Sequence, residues 1–362
     1  MVLLTSLIAS VVCTSLAHAT SSERLYYAAK GGYIQAAKNL IELDRASTSY
    51  ANPLNGETAL YVATQAGDYQ LTEYLLKQRA NPNQPDNNRL YPLHLSSQSN
   101  NFPMVRLLIE GGAYAGPIDL EGNTPLHHAT RFNNMQMAQL LLEKNAPADH
   151  VNQDQTTPLH YASRFGNNAM VKLLLEKGAK AGSIDSQGVS PIHIASQAGN
   201  LELVKLLVDA KANINAVKED GVTALHEAAA AGHLSIARYL LKNGADPKAR
   251  TVGGWVPLHH AARFGHQRIA STLLYNGTPI NKRTNEGKTI FDLAKLAQQD
   301  GMLKFLKRYA RRKGKRIPRA RKKVATAIIQ AATVPRSPSK SSSNSLDKLG
   351  LDASAVAALM GN

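Results

Sequence analysis

The chain has 362 residues, of which 43% are apolar but only 6% aromatic, with a single Trp; it lacks the ring side chains of a β-sandwich core and suits helices packed through Leu, Ala, Ile and Val. Cys13 is the only cysteine, which excludes an internal disulfide or a cysteine metal site. The net charge of +16 belongs to one end: residues 301–362 hold 15 Lys and Arg against Asp347 and Asp352, or +13, leaving 27 basic against 24 acidic residues, or +3, for the first 300.

In chain order, residues 1–19 come first. An apolar run from Val2 to Leu16 precedes Ala17-His18-Ala19, the small-x-small pattern of a signal-peptidase site, so an export signal is expected over 1–19, with a mature chain that starts at Thr20 without a thiol. This predicts a secreted or periplasmic protein. The run carries no Lys or Arg before it, and an uncleaved anchor, for which it is short, is the alternative.

From position 58 a short phrase returns every 33 residues, around 58, 91, 124, 157, 190, 223, 256 and 289. Its clearest copies are Thr124-Pro125-Leu126-His127-His128-Ala129, Thr157-Pro158-Leu159-His160-Tyr161-Ala162 and Ser190-Pro191-Ile192-His193-Ile194-Ala195. Within 157–189, Thr157-Pro158 opens a first helix and Gly166 closes it. Met170, Val171, Leu173, Leu174 and Leu175 then have helical spacing, and Gly178 can take the left-handed cap. Residues 179–189 are left for an extended finger.

The phrase resembles the Thr-Pro-Leu-His-x-Ala signature of ankyrin repeats. The resemblance implies an all-α solenoid of helix-turn-helix units joined by β-hairpin fingers. Residues 20–55 are a degenerate N-terminal cap, with Leu25, Ala28 and Gly32 standing for Leu60, Ala63 and Gly67; 56–287 are seven repeats; and 288–310 are a C-terminal cap, in which Asp292 replaces the histidine. Nine units are expected. A basic, largely disordered tail follows over 311–362.

Six of the twelve histidines, His94, His127, His160, His193, His226 and His259, share one position of the period, which the resemblance makes a structural hydrogen-bonding site. No His-Glu-x-x-His, Gly-x-Ser-x-Gly or phosphate-loop motif occurs, so no metal, cofactor or catalytic site is assigned and the chain reads as a non-enzyme.

Ankyrin proteins bind macromolecules through finger tips and the ends of first helices, so the informative positions are those free to vary within the period. Val189, Val222 and Trp255 precede the Thr-equivalent, where an apolar choice is unexpected; Arg131-Phe132, Arg164-Phe165 and Arg263-Phe264 recur at the end of the first helix. Together these nine residues form the candidate partner-binding set, with Trp255, Arg263 and Phe264 as the anchor. On this reading, replacing Trp255 weakens binding and leaves stability nearly unchanged. The expected function is a monomeric protein-interaction scaffold, and export of such a scaffold would fit a bacterial effector that acts inside a host cell.

The tail supports the alternative. Residues 304–323 hold twelve Lys or Arg and no acid, among them Lys307, Arg308, Arg311, Arg312, Lys313, Lys315, Arg316, Arg319, Arg321, Lys322 and Lys323. Such density suits a polyanion, either nucleic acid or an anionic membrane. A Ser- and Pro-rich linker over 335–345 and a short amphipathic stretch from Leu346 to Met360 complete the chain.

Overall fold

The structure is a computed structural model that describes residues 19–315. Of the export signal expected over residues 1–19, residues 1–18 lie outside the described residues, as does the chain from Arg316 onward, including Arg319, Arg321, Lys322 and Lys323.

Among the described residues, eighteen helices fall into nine pairs. The first three pairs are α1 Ser21–Lys30 with α2 Ile34–Glu42, α3 Ala59–Gln65 with α4 Tyr69–Lys77, and α5 Pro92–Gln98 with α6 Phe102–Glu110. The middle three are α7 Pro125–Arg131 with α8 Met135–Glu143, α9 Pro158–Arg164 with α10 Asn168–Glu176, and α11 Pro191–Ala198 with α12 Leu201–Asp209. The last three are α13 Ala224–Ala231 with α14 Leu234–Lys242, α15 Pro257–Arg263 with α16 Gln267–Tyr275, and α17 Ile290–Leu296 with α18 Asp300–Arg312.

Each first helix packs closely on the first helices of both neighbouring units, whereas successive second helices touch sparsely. Small buried residues such as Ala129, Ala162, Ala195 and Ala228 permit that close approach. The first-helix layer is therefore the tighter, inner one, and the fingers extend from it.

Pro at the first helical turn and a Thr or Ser N-cap start the inner helices of units four to six. The turn to the outer helix needs one residue at positive φ, supplied by Gly166 (φ 65°), Gly199 (81°) and Gly232 (86°) but by Asn133 (54°) in unit four. Asn134, Asn167 and Asn200 then cap the outer helices, accepting from the backbone N–H three residues on at 3.0 Å.

The fingers are tight turns without an extended ladder. Asp185 donates its N–H to the Val189 carbonyl (2.9 Å), and Ser186 donates to Asp154 of the preceding finger (2.9 Å). Strand pairing among the described residues is limited to the isolated bridges Ala51 with Thr58 and Arg283 with Thr289, so the expected β-hairpins are reduced to turns stitched edge to edge.

The apolar core is continuous from Leu93 to Ala310, while Leu25 to Ala80 form a separate cluster. At the seam the hydroxyl-bearing Ser96 occupies the column held by Ala63 before it and Ala129 after it, and it bonds its own helix at Leu93 O (3.1 Å). At the far end α18 turns Met302, Leu306 and Ala310 inward and continues to Arg312. The helix thus runs two residues past the expected end of the cap at 310, and Arg311 and Arg312 belong to an ordered helix instead of the tail.

Candidate functional site: the inner face of the array

The histidine column shows how the inner layer is fixed. The N-cap backbone N–H donates to the histidine Nδ1, at 3.0 Å for Thr124 to His127 and 3.1 Å for Thr157 to His160 and Thr223 to His226. An Nδ1 that accepts places the ring proton on Nε2. That Nε2–H donates to the residue preceding the next unit's cap: His127 to Thr156 O (3.1 Å), His160 to Val189 O (3.1 Å) and His226 to Trp255 O (3.3 Å). Each ring thereby closes its own helix start and ties it to the next finger.

The end units modify this device. In unit two the Tyr61 hydroxyl does the reaching, donating to Asp86 Oδ2 (3.0 Å). In unit nine the Asp292 carboxylate accepts from the Thr289 N–H and hydroxyl, each at 2.8 Å, and has no donor to extend to a further unit.

Burial disfavours the charged imidazolium throughout the column. It holds His127, His226 and His259 at about 4, and lowers His94, His160 and His193. The second rings of the two doublets, His128 and His260, are likewise held down to about 4 by desolvation. Both have a buried Nε2 without a hydrogen-bond partner; the nearest acid to His128 is Asp119, 3.9 Å away.

Of the nine groove residues, the structure brings three together. Arg263 ends α15 and Phe264 caps it; the Arg263 guanidinium lies 5.7 Å from the Trp255 ring centre and 5.6 Å from that of Phe264. The Trp255 ring also packs on His260 (4.9 Å) and His259 (5.9 Å). It is a half-buried wedge whose open edge borders a depression of about 280 Å³ with Arg263, Lys288, Leu293, Leu296 and Ala297.

Arg131-Phe132 and Arg164-Phe165 occupy the same places on α7 and α9, where a cation at the helix C-terminus suits the helix dipole. Phe132, Phe165 and Phe264 are 45, 53 and 48% exposed, too open to be core. Units six and seven carry Gln197-Ala198 and Ala230-Ala231 in that register, so the aromatic pairs form two patches, units four and five and unit eight, separated by two units without an Arg-Phe pair. Between the patches lie Val189 and Val222, half-buried, their carbonyls taken by His160 and His193. Val189 borders a cleft of about 220 Å³ with Gln187, Lys218, Glu219 and Asp220.

One column escaped the sequence reading. Ile118, Val151, Ile184 and Val217 follow one another at 33 residues just ahead of the finger turns and are 45–56% exposed. Reading every column of the period for exposed apolar residues finds them; attention to the signature phrase alone does not. The stripe ends at Arg250 and Arg283, so the apolar edge covers the fingers of units three to six and turns basic beside Trp255.

Of the basic residues proposed for polyanions, Lys307, Arg308, Arg311 and Arg312 stand on the exposed face of α18. Lys313 and Lys315 border a separate cavity of about 470 Å³ with Leu274, Ile280 and Tyr309.

Comparison with known families agrees with this architecture. The family model described as ankyrin repeats (3 copies) matches residues 25–119, 93–185 and 170–251, and the single ankyrin repeat model matches 253–285. The chain belongs to the ankyrin-repeat family. No protein among those with curated descriptions matches it.

Proposed function

We propose that the chain is a non-catalytic scaffold that holds a partner protein against its inner face, anchored at Trp255, Arg263 and Phe264. Ankyrin repeats are protein-interaction modules, and their backbone and buried histidines are spent on holding the array together, so contact with a partner falls to the exposed columns. The observation that carries the assignment is the Arg263 guanidinium within 5.7 Å of the centres of both the Trp255 and Phe264 rings, beside an open depression that Trp255 and Arg263 line. Aromatic and Arg side chains grouped this way dominate protein interfaces. The apolar finger edge of Ile118, Val151, Ile184 and Val217 extends the contact towards the Phe132 and Phe165 patch.

The test is affinity capture with the full chain at about 1 M salt, where screening has shortened to about 3 Å and charge attraction is removed. A defined protein retained by the wild type and lost from Trp255→Ala and Arg263→Ala, but kept by Lys172→Ala on an outer helix, supports the assignment. Equal retention by all four chains would sink it.

A further inference from the structure

The outer helices carry a second pattern in the 33-residue register, independent of the groove. In units five and six a cation is followed four residues later by an acid: Lys172 with Glu176 on α10, Lys205 with Asp209 on α12. Lys172 pairs with Glu176 at 3.9 Å, and Lys205 with Glu202 at 3.2 Å, giving an ordinary zwitterionic surface. Further along, the acid is gone. The same two places hold Arg238 and Lys242 on α14, Ser271 and Tyr275 on α16, and Lys304 and Arg308 on α18.

On α18, Lys307, Arg311 and Arg312 join Lys304 and Arg308 along one shallow groove that contains no acid. Among the described residues none of these cations forms an ion pair. Like charges placed four residues apart destabilise a helix slightly, and the helix dipole offsets this only for the last-turn cations Lys242, Arg311 and Arg312, not for Arg238, Lys304, Lys307 and Arg308.

We propose that the outer face from α14 to α18 is a sequence-independent binding surface for the phosphate backbone of duplex nucleic acid. The dimensions agree. Three adjacent helices at roughly 10 Å spacing, with α18 roughly 20 Å long, make a rigid area about 20 Å on a side whose named cations lie along its two flanking helices, α14 and α18. A duplex crossing it presents about twelve phosphates over that length.

A bilayer fits less well, because these helices turn their apolar residues inward, as with Ile269, Leu273, Met302 and Leu306, and leave no apolar edge to insert. Single strands are bound chiefly by stacking on rows of rings, and this face exposes a single one, Tyr275, at 90%. Lys and Arg on a flat outer surface meet phosphates and do not enter a groove to read bases, so no sequence preference is expected.

The test titrates a fluorescein-labelled 20-base-pair duplex with the full chain from about 50 to 200 mM salt, following anisotropy. The key variant is Lys242→Glu with Arg308→Glu, which restores the cation-to-acid spacing of units five and six and so leaves the helices intact, as an unchanged melting curve verifies. It should weaken binding about tenfold or more and flatten the dependence of log K on log salt by about two or more. Trp255→Ala should bind the duplex like wild type, which separates this face from the groove.

Two results would overturn the proposal. One is wild-type affinity in the double-Glu variant while a variant with Arg316, Arg319, Arg321, Lys322 and Lys323 all changed to Gln loses it, which assigns the binding to the tail. The other is release of the duplex by phosphatidylserine-containing vesicles at equal phosphate concentration, which makes the surface a membrane site.

Discussion

The middle of the array, units four to six, and its C-terminal third, units seven to nine, share one interior and differ in what they present outside it. His160 and His226 make the same pair of hydrogen bonds, at distances within 0.2 Å of each other. Yet the column whose carbonyl accepts from these rings carries Val189 after the first and Trp255 after the second, and the outer column carries Glu176 in one region and Arg308 in the other. In a repeat protein the invariant column holds the units together, and departures from the period mark where an individual chain meets its partners.

The largest effect should strike both regions alike. Each histidine held near 4 in the folded array titrates near 6.5 when unfolded, so above pH 6.5 both states are neutral and stability is complete. As pH falls from 6.5 towards 4 the unfolded chain takes up protons that the folded chain refuses, removing about 1.4 kcal/mol per pH unit for each ring; below 4 the loss levels off. Five rings lie at about 4, and neighbouring rings lower one another, so their losses do not simply add; together they are still a substantial part of the roughly 5–15 kcal/mol that stabilises a typical domain. Circular-dichroism melts at stepped pH should show the array unfolding within that window, and a melting temperature level between pH 7 and 4.5 would contradict the buried-histidine account.

Next come single breaks in the column. His160→Ala and His226→Ala each orphan a buried N–H and a finger carbonyl, and each should cost roughly 2–5 kcal/mol in urea unfolding. Similar costs in the two regions sharpen the comparison, and a loss confined to one of them breaks it. A finger glycine should behave comparably: Gly221 sits at φ 78°, and a methyl there would stand 2.9 Å from the Thr251 Cα of the next finger, so Gly221→Ala should cost about 1–3 kcal/mol by the same measurement.

The exposed columns should separate the regions. Trp255→Ala should weaken partner binding by about 1–2 kcal/mol or more in isothermal titration. Its packing on His259 and His260 adds a stability loss that the bare sequence did not suggest. Phe165→Ala, with no such wedge behind it, should leave the melting temperature within about 1 °C and change binding by less than Trp255→Ala, a surface effect of within about 0.5 kcal/mol.

Much of the fold was legible because the 33-residue period repeats the same local chemistry. Thr157-Pro158, Gly166 and Gly178 mark the helix boundaries that the structure shows, with Gly178 at φ 94°. The site was only partly legible. Sequence spacing places Trp255, Arg263 and Phe264 in one unit, but the seating of Trp255 on two histidine rings depends on how neighbouring units pack, which no single period contains. The gap of units six and seven between the aromatic patches is written in the sequence as Gln197-Ala198 and Ala230-Ala231, but its meaning as a break in an exposed surface depends on the stacking of the units. The reach of α18 to Arg312 was hidden by charge: density of Lys and Arg suggests a solvated tail, whereas Met302, Leu306 and Ala310 keep helical spacing and anchor it.

The central claim is that the inner face at Trp255 holds a partner protein. The most direct measurement is the affinity of the protein captured by the full chain, titrated against wild type, Trp255→Ala and the outer-face variant Lys242→Glu with Arg308→Glu. The account predicts that Trp255→Ala weakens binding at least fivefold, about 1 kcal/mol, while the outer-face variant matches wild type. Undiminished binding by Trp255→Ala, with loss in the outer-face variant, would contradict it.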